Sequence, residues 1–404
     1  MRFATEVQVS VATVWVAIVC VLSPAASIGE SAPQRFAQLK ELWRVGDDTS
    51  GDGPIFGLVS DLCLDREGNL YVADRQLSQV TVFGPDGQVK GHIGQEGDGP
   101  GEFRMPYRVH VTPGDEVWVL TSRFGFISRF SQAGEYLGDI RIPADPAGVV
   151  PAIRRIAGGD STIVAHGMYR ENTEFVVAGE RIEDHRLIHI DNSGQVGPTY
   201  FAVGFPGDDA RPVWSEKTQL LANRWDVSSS GRVYVASSFL DYKIDVFSAS
   251  GERIQEISRE YDHRRRSREE KKRIYDWATL NPNGNLPGTE FQIEDFDMDI
   301  MALYCRPDGR LWVLTSRGLH DRPPESAGIF DVYAANGSFL HSVALLGNAD
   351  PEYDRFLFSG NRLYVARCFK SAVATMIAGG AENEFSNGCL EPMSVVCFEI
   401  VLEG

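Results

Sequence analysis

The chain has 404 residues, 43% hydrophobic and 24% charged, enough to bury a sizeable core. Its formal net charge of −17 excludes nucleic acid and anionic membrane as general partners, because both would repel it.

Residues 1–27 read as a signal peptide. Arg2 precedes an apolar run over residues 9–22, and Ser23-Pro24-Ala25-Ala26-Ser27 offers small residues for cleavage. Glu6 inside the basic region leaves an uncleaved anchor as the alternative. The rest contains no other long apolar run, so the mature chain is expected to be soluble and exported, periplasmic or extracellular, with no membrane span. Cys20 would leave with the signal. Cys63, Cys305, Cys368, Cys389 and Cys397 remain, an odd number without a C-x-x-C pair.

From residue 64 the chain reads as strand, tight turn, strand. Leu70-Tyr71-Val72-Ala73 and Val80-Thr81-Val82-Phe83 are short runs rich in Val, Tyr and Phe. Asp65-Arg66-Glu67-Gly68-Asn69 and Gly84-Pro85-Asp86-Gly87 bound them. The unit recurs over 107–142, where Gly134 repeats the turn role of Gly87 47 residues on. A weaker third unit starts at Ala152 and makes a long excursion between Ala165 and Leu187. Clear units follow over 225–251 and 303–337, and a sixth over 356–400 supplies only three strands. Leu39-Lys40-Glu41-Leu42-Trp43-Arg44-Val45-Gly46 mirrors Val89-Lys90-Gly91-His92-Ile93-Gly94, so residues 37–46 are predicted to complete the sixth unit and close a ring. The expected fold is all-β: a six-bladed β-propeller over 35–404, built from four-stranded antiparallel blades.

Gly68-Asn69-Leu70-Tyr71-Val72-Ala73-Asp74, Val82-Phe83 with Gly87, and Phe103-x-x-Pro106 resemble NHL-type repeats. Gly97-Asp98-Gly99-Pro100-Gly101-Glu102-Phe103 resembles a connector of exported bacterial six-bladed β-propeller proteins. The resemblance runs from about Ala37 to the C-terminus. It implies the fold and no particular activity, since propellers host many functions.

One insertion, residues 259–296 between blades 4 and 5, departs from the repeat. Within it, residues 262–277 read as a charged helix with Asp262 as cap and Glu269–Arg273 as an i,i+4 pair. Ile274 and Trp277 share one side, and a loop follows over 281–288. The helix is either a lid facing a ligand or a solvated helix packed on the blades.

Four long segments, 166–185, 258–296, 315–328 and 367–393, fall in second-to-third-strand loops or blade-to-blade connections. All of these lie at one end of a meander, so a site is expected on that loop-rich face near the central channel. Arg75, Arg123, Arg317 and Arg367 recur just after the second strand, and Asp61, Arg108, Arg224 and Asp354 recur near the start of the first. Such a ring suits an anionic group, which guanidinium binds through two parallel hydrogen bonds; the alternative is Arg–Asp bridging between blades. His110 and Asp226 hold equivalent first-strand positions, beside Cys63, Arg155, Tyr304 and Phe356, a poor ligand set. No metal or cofactor is predicted. Cys368 and Cys389 are candidates for a disulfide. The expected function is non-catalytic binding or scaffolding by a monomer, with an anionic small molecule, a glycan or an envelope protein as partner. The alternative is a lactonase-like hydrolase or lyase with its site in the channel.

Overall fold

The computed structural model describes residues 34–46, 54–123, 125–170, 181–207, 213–280, 288–380, 383–389 and 391–403. The signal reading over 1–27 and the loop expected over 281–287 lie outside them. No helix among the described residues is long and apolar enough to cross a membrane.

Strand β1 (Gln34–Val45) precedes blade 1, which comprises β2 (Val59–Leu64), β3 (Leu70–Asp74), β4 (Gln79–Phe83) and β5 (Val89–Ile93). Blade 2 follows with β6 (Arg108–Val111), β7 (Val117–Leu120), β8 (Phe126–Phe130) and β9 (Tyr136–Arg141). Blade 3 has the longer strands β10 (Ala152–Gly158), β11 (Ile163–Arg170), β12 (Arg181–Ile190) and β13 (Val196–Gly207). After the short β14 (Val213–Ser215), blade 4 is β15 (Trp225–Val227), β16 (Val233–Val235), β17 (Lys243–Phe247) and β18 (Arg253–Ser258). The insertion carries helix α1 (Arg268–Leu280) and β19 (Glu290–Gln292), which pairs in parallel with β14. Blade 5 is β20 (Ile300–Cys305), β21 (Leu311–Thr315), β22 (Ser326–Tyr333) and β23 (Phe339–Leu346), with helix α2 (Ser316–His320) after β21. Blade 6 is β24 (Arg355–Ser359), β25 (Arg362–Ala366) and β26 (Val395–Leu402), with helix α3 (Phe369–Ile377) between the last two.

Alternation within the strands builds the ring. Successive side chains on a strand point to opposite faces, and both faces here are covered by neighbouring blades. In β3, Leu70 and Val72 pack toward blade 6 while Tyr71 and Ala73 pack toward blade 2. Six apolar clusters result, one at each blade interface. The fold is a six-bladed β-propeller.

Strand β1 closes it. It runs antiparallel to β26 over eight residue pairs, with an irregularity between Glu41 and Trp43, and its first five residues also pair in parallel with β23 of blade 5. One strand thereby covers the outer edges of two blades. The parallel pairing has no counterpart in the repeat pattern. Trp43 extends the closure to blade 1, its Nε1 donating to the Pro85 carbonyl at 3.0 Å. Its ring lies where Gly87, at φ +84°, leaves room: a Cβ there would approach the indole to 2.8 Å.

The insertion differs from its expectation in detail. Helix α1 begins at Arg268 rather than Asp262, because the start signal is a reciprocal Ser267–Glu270 cap. The Ser267 hydroxyl accepts from the Glu270 amide at 3.2 Å, and the Glu270 carboxylate accepts from the Ser267 amide at 2.7 Å. Asp262 instead faces Arg317. Arg273 reaches Glu352 at 2.7 Å and the Tyr353 hydroxyl at 2.9 Å, and is not paired with Glu269 among the described contacts.

Candidate ligand site in the central channel

The first strand of each blade lines the centre of the ring and encloses a cavity of about 540 Å³. Its wall includes the first-to-second-strand turns, among them Asp65-Arg66, Thr112-Pro113 and Arg306-Pro307. The cavity therefore reaches the tight-turn end of the ring, opposite the end that carries the long loops.

Farther in, charged side chains meet. Asp61 pairs with Arg355 of blade 6 at 2.6 Å and accepts the Val109 amide of blade 2 at 3.1 Å. Arg155 of blade 3 pairs with Asp226 of blade 4 at 3.3 Å, stacks 4.5 Å from the Trp225 ring centroid and donates to the Trp225 carbonyl. Asp226 also accepts the Cys305 amide of blade 5 at 2.8 Å. Arg108 adds a third guanidinium close to Arg355, Asp61 and Arg155, behind the cavity wall rather than in it. Its Nη1 donates to the Tyr107 carbonyl at 2.8 Å, but its buried Nε has no acceptor. Burial, followed by the nearby charge of Arg355, pushes Arg108 down to about 10, so it stays protonated at neutral pH. Arg306 lines the cavity nearer the turns, 4.4 Å from the Trp312 centroid and 4.7 Å from that of Phe358, and its buried Nη1 is also without an acceptor. Asp65 and Asp160 also line the cavity near the turns, so its wall balances Arg66, Arg155, Arg306 and Arg355 against four aspartates. Arg306 is the guanidinium among them with a buried donor left without an acceptor.

Two thiols and an imidazole also line the cavity. Burial pushes the Cys63 thiol up to about 12 and the Cys305 thiol well above its ordinary value, whereas a reactive cysteine needs a lowered pKa. Cys63 Sγ accepts the Val111 amide at 3.3 Å. Burial pushes His110 down to about 4, keeping its imidazole neutral.

Of the arginines and acids expected around the site, Asp61 and Arg108 lie in this inner group. Arg224 is buried and donates to the Ile300 carbonyl at 2.6 Å and to the Ser238 carbonyl. Arg367 pairs with Asp354 at 2.9 Å and donates to the Asn348 carbonyl at 2.7 Å. Arg123 pairs with Asp139 at 3.1 Å, and Arg317 with Asp321 at 3.0 Å as well as with Asp262. Arg75 donates its backbone amide to Leu58, and its buried Nε lacks an acceptor. Most of these side chains are spent on local partners and do not converge. The sequence pattern missed Arg355, although it is the neighbour of Asp354; strand alternation sends adjacent residues to opposite faces. Arg155 was visible at an aligned first-strand position, but its partner across the blade interface was not.

On the loop-rich face the insertion is tied down by an ionic network. Arg266 bridges Glu216 and Asp297, each at 2.5 Å, while Arg264 joins Asp297 at 2.6 Å to Asp321 at 3.2 Å. Helix α1 is held by the Arg273–Glu352 pair and by Trp277 against Phe385, with centroids 5.3 Å apart. This is the packed-helix arrangement. Cys368 and Cys389 are joined by a disulfide. With Glu391 they form the cluster of metal-type donors found among the described residues, but joined cysteines offer no thiolate.

A family model described as a 6-bladed beta-propeller matches residues 52–154, which span blades 1 and 2. No curated protein matches the chain. Among solved structures, a member of the duf4221 family from Bacteroides vulgatus is similar at 11% identity and TM-score 0.50, covering 92% of this chain and 100% of that one. A Bacteroides fragilis protein titled as a candidate exported protein gives 12% identity and TM-score 0.49, with coverages of 91% and 95%. The PQQ-bound aldose sugar dehydrogenase of Streptomyces coelicolor gives 15% and 0.44, with coverages of 92% and 100%. At such identities the first likeness shows the fold alone, and the other two carry no argument about chemistry.

Proposed function

We propose that this chain is an exported binding propeller that takes a small anion, such as a carboxylate, phosphate or sulfate ester, in its central channel. The observation carrying this reading is Arg306, which lines the cavity together with Arg155 and Arg355 and whose buried Nη1 finds no acceptor among the described residues. A buried donor without a partner costs about 1–3 kcal/mol, and an anion would supply the acceptor. A cavity of about 540 Å³ suits a small organic molecule. The channel is favoured because Arg306 lines it, whereas Arg75 and Arg367 at the loop-rich end, whose buried Nε groups also lack acceptors, do not line a cavity.

The test is thermal shift and calorimetry of the purified protein with phosphate, sulfate, citrate and glucuronate at constant ionic strength. A saturable stabilisation by at least one anion is expected, lost in Arg306→Gln and kept in Arg104→Gln, whose guanidinium is exposed beside Asp98. Circular dichroism establishes that both variants fold. Absence of any saturable response, or binding unchanged in Arg306→Gln, would overturn the proposal.

A further inference from the structure

A second cavity, of about 500 Å³, lies on the other side of the fold's polarity, among the long loops where blade 6 meets blade 1. Helix α3 presents Ser371, Ala372, Thr375 and Met376 to it, residues brought to one side by the helical repeat. Leu58 and Met393 add apolar wall, and the Cys368–Cys389 disulfide forms part of the rim.

Two features point to a ligand. Ser371 is 3% exposed, and its Oγ has no hydrogen-bond partner. Its hydroxyl neighbours are already used: Thr375 donates to the Ser371 carbonyl at 3.0 Å, and Ser386 donates to the Asn383 carbonyl at 2.8 Å. The second feature is charge. Glu391 brings a carboxylate oxygen within 4.8 Å of both disulfide sulfurs, and no Lys, Arg or His lines the cavity among the described residues. The cavity therefore offers oxygen acceptors, with Glu391 exposed at its rim and Gln76 in its wall, an apolar and sulfur-rich lining, and no cation to receive an anion. Its preference is opposite to that of the channel.

We infer that this cavity binds a small organic amine, its ammonium donating to Glu391 and Ser371 and its apolar body lying against Leu58, Met376 and Met393. Polarisable sulfur favours an aromatic body. The site is independent of the channel and does not require the channel to bind anything.

The probe is phenethylamine, with 3-phenylpropionate as a partner of similar shape and opposite charge, followed by calorimetry and ligand-observed NMR. Phenethylamine is expected to bind wild-type protein, and 3-phenylpropionate is not. Glu391→Gln should weaken the amine at least about tenfold, the worth of one charge-assisted hydrogen bond. Ala372→Trp should abolish binding by filling the cavity, and Arg306→Gln should leave it unchanged. Should Ala372→Trp fail to fold, Ser371→Ala, which removes only the hydroxyl, must still weaken binding. Failure of phenethylamine to bind, equal binding of the carboxylate, or affinity unchanged in Glu391→Gln would overturn the inference.

Discussion

Ala37 offers a sharp test of ring closure. It is fully buried at the point where β1 pairs with both β23, opposite Leu345, and β26, opposite Leu402. Its methyl packs in the cluster between blades 5 and 6 with Val343, Leu345, Phe398 and Ile400. Gln38, the next residue, points the other way and is exposed. Ala37→Asp therefore puts an unpartnered carboxylate into an apolar interface, while Gln38→Asp puts the same group in water. An uncompensated buried charge costs about 3–5 kcal/mol, and the strand can limit that cost only by releasing its register. Burial would raise the carboxyl's folded pKa above its unfolded value near 3.9. The destabilisation should therefore be smaller near pH 4, where the desolvation of a neutral carboxyl and its extra volume remain, and grow as pH rises toward 7. The assay is urea unfolding of both variants at several pH values, with amide hydrogen exchange resolved by segment. Ala37→Asp should lose stability by roughly the stated amount and speed exchange in β26 and β23, leaving blades 2 to 4 protected. Gln38→Asp gives up a hydrogen bond to the exposed Glu403 and sets two carboxylates side by side, so it should cost no more than about 1 kcal/mol. Equal stability of the two variants, or an exchange increase spread evenly over all blades, would refute the closure argument.

Other outcomes follow from packing and charge. Phe358→Ala removes a buried ring that sits 4.9 Å from Tyr304, 5.5 Å from Trp312 and 5.7 Å from Phe330, centroid to centroid; urea unfolding should register a loss of about 3–5 kcal/mol. Burial holds His110 down to about 4 and His166 to about 3, while each titrates near 6.5 when unfolded. The unfolded chain gains these protons first, so their support is complete above about pH 6.5 and drains as pH falls toward about 3. Denaturation midpoints measured across that window should flatten in His110→Asn and His166→Gln. The disulfide closes a segment with a sequence separation of 21, so Cys368→Ser with Cys389→Ser should lower stability by about 3 kcal/mol in the chain-entropy account. Calorimetry under non-reducing conditions measures that difference.

The comparison between pattern and structure turns on distance along the chain. Strand identity, the turn at Gly87 and the count of six units were legible because each rests on a few adjacent residues: a run of Val, Tyr and Phe, then a glycine that accepts positive φ. Even the closing strand could be read, since residues 39–46 repeat the pattern of 89–94. Other local signals were present but misassigned. The Ser267–Glu270 cap lies in the sequence, and a competing aspartate five residues earlier obscured it. Helices α2 and α3 sit in segments that the repeat pattern marks only as long loops. What the sequence could not decide is which charge meets which. Asp61 and Arg355 are far apart in the chain and 2.6 Å apart in the fold, and only closure of the ring makes blade 6 the neighbour of blade 1. The same closure leaves Arg108 without a carboxylate of its own while giving Asp354 to Arg367. Local residue chemistry thus determined the blades, and the circular packing of those blades decided where unpartnered charge remains.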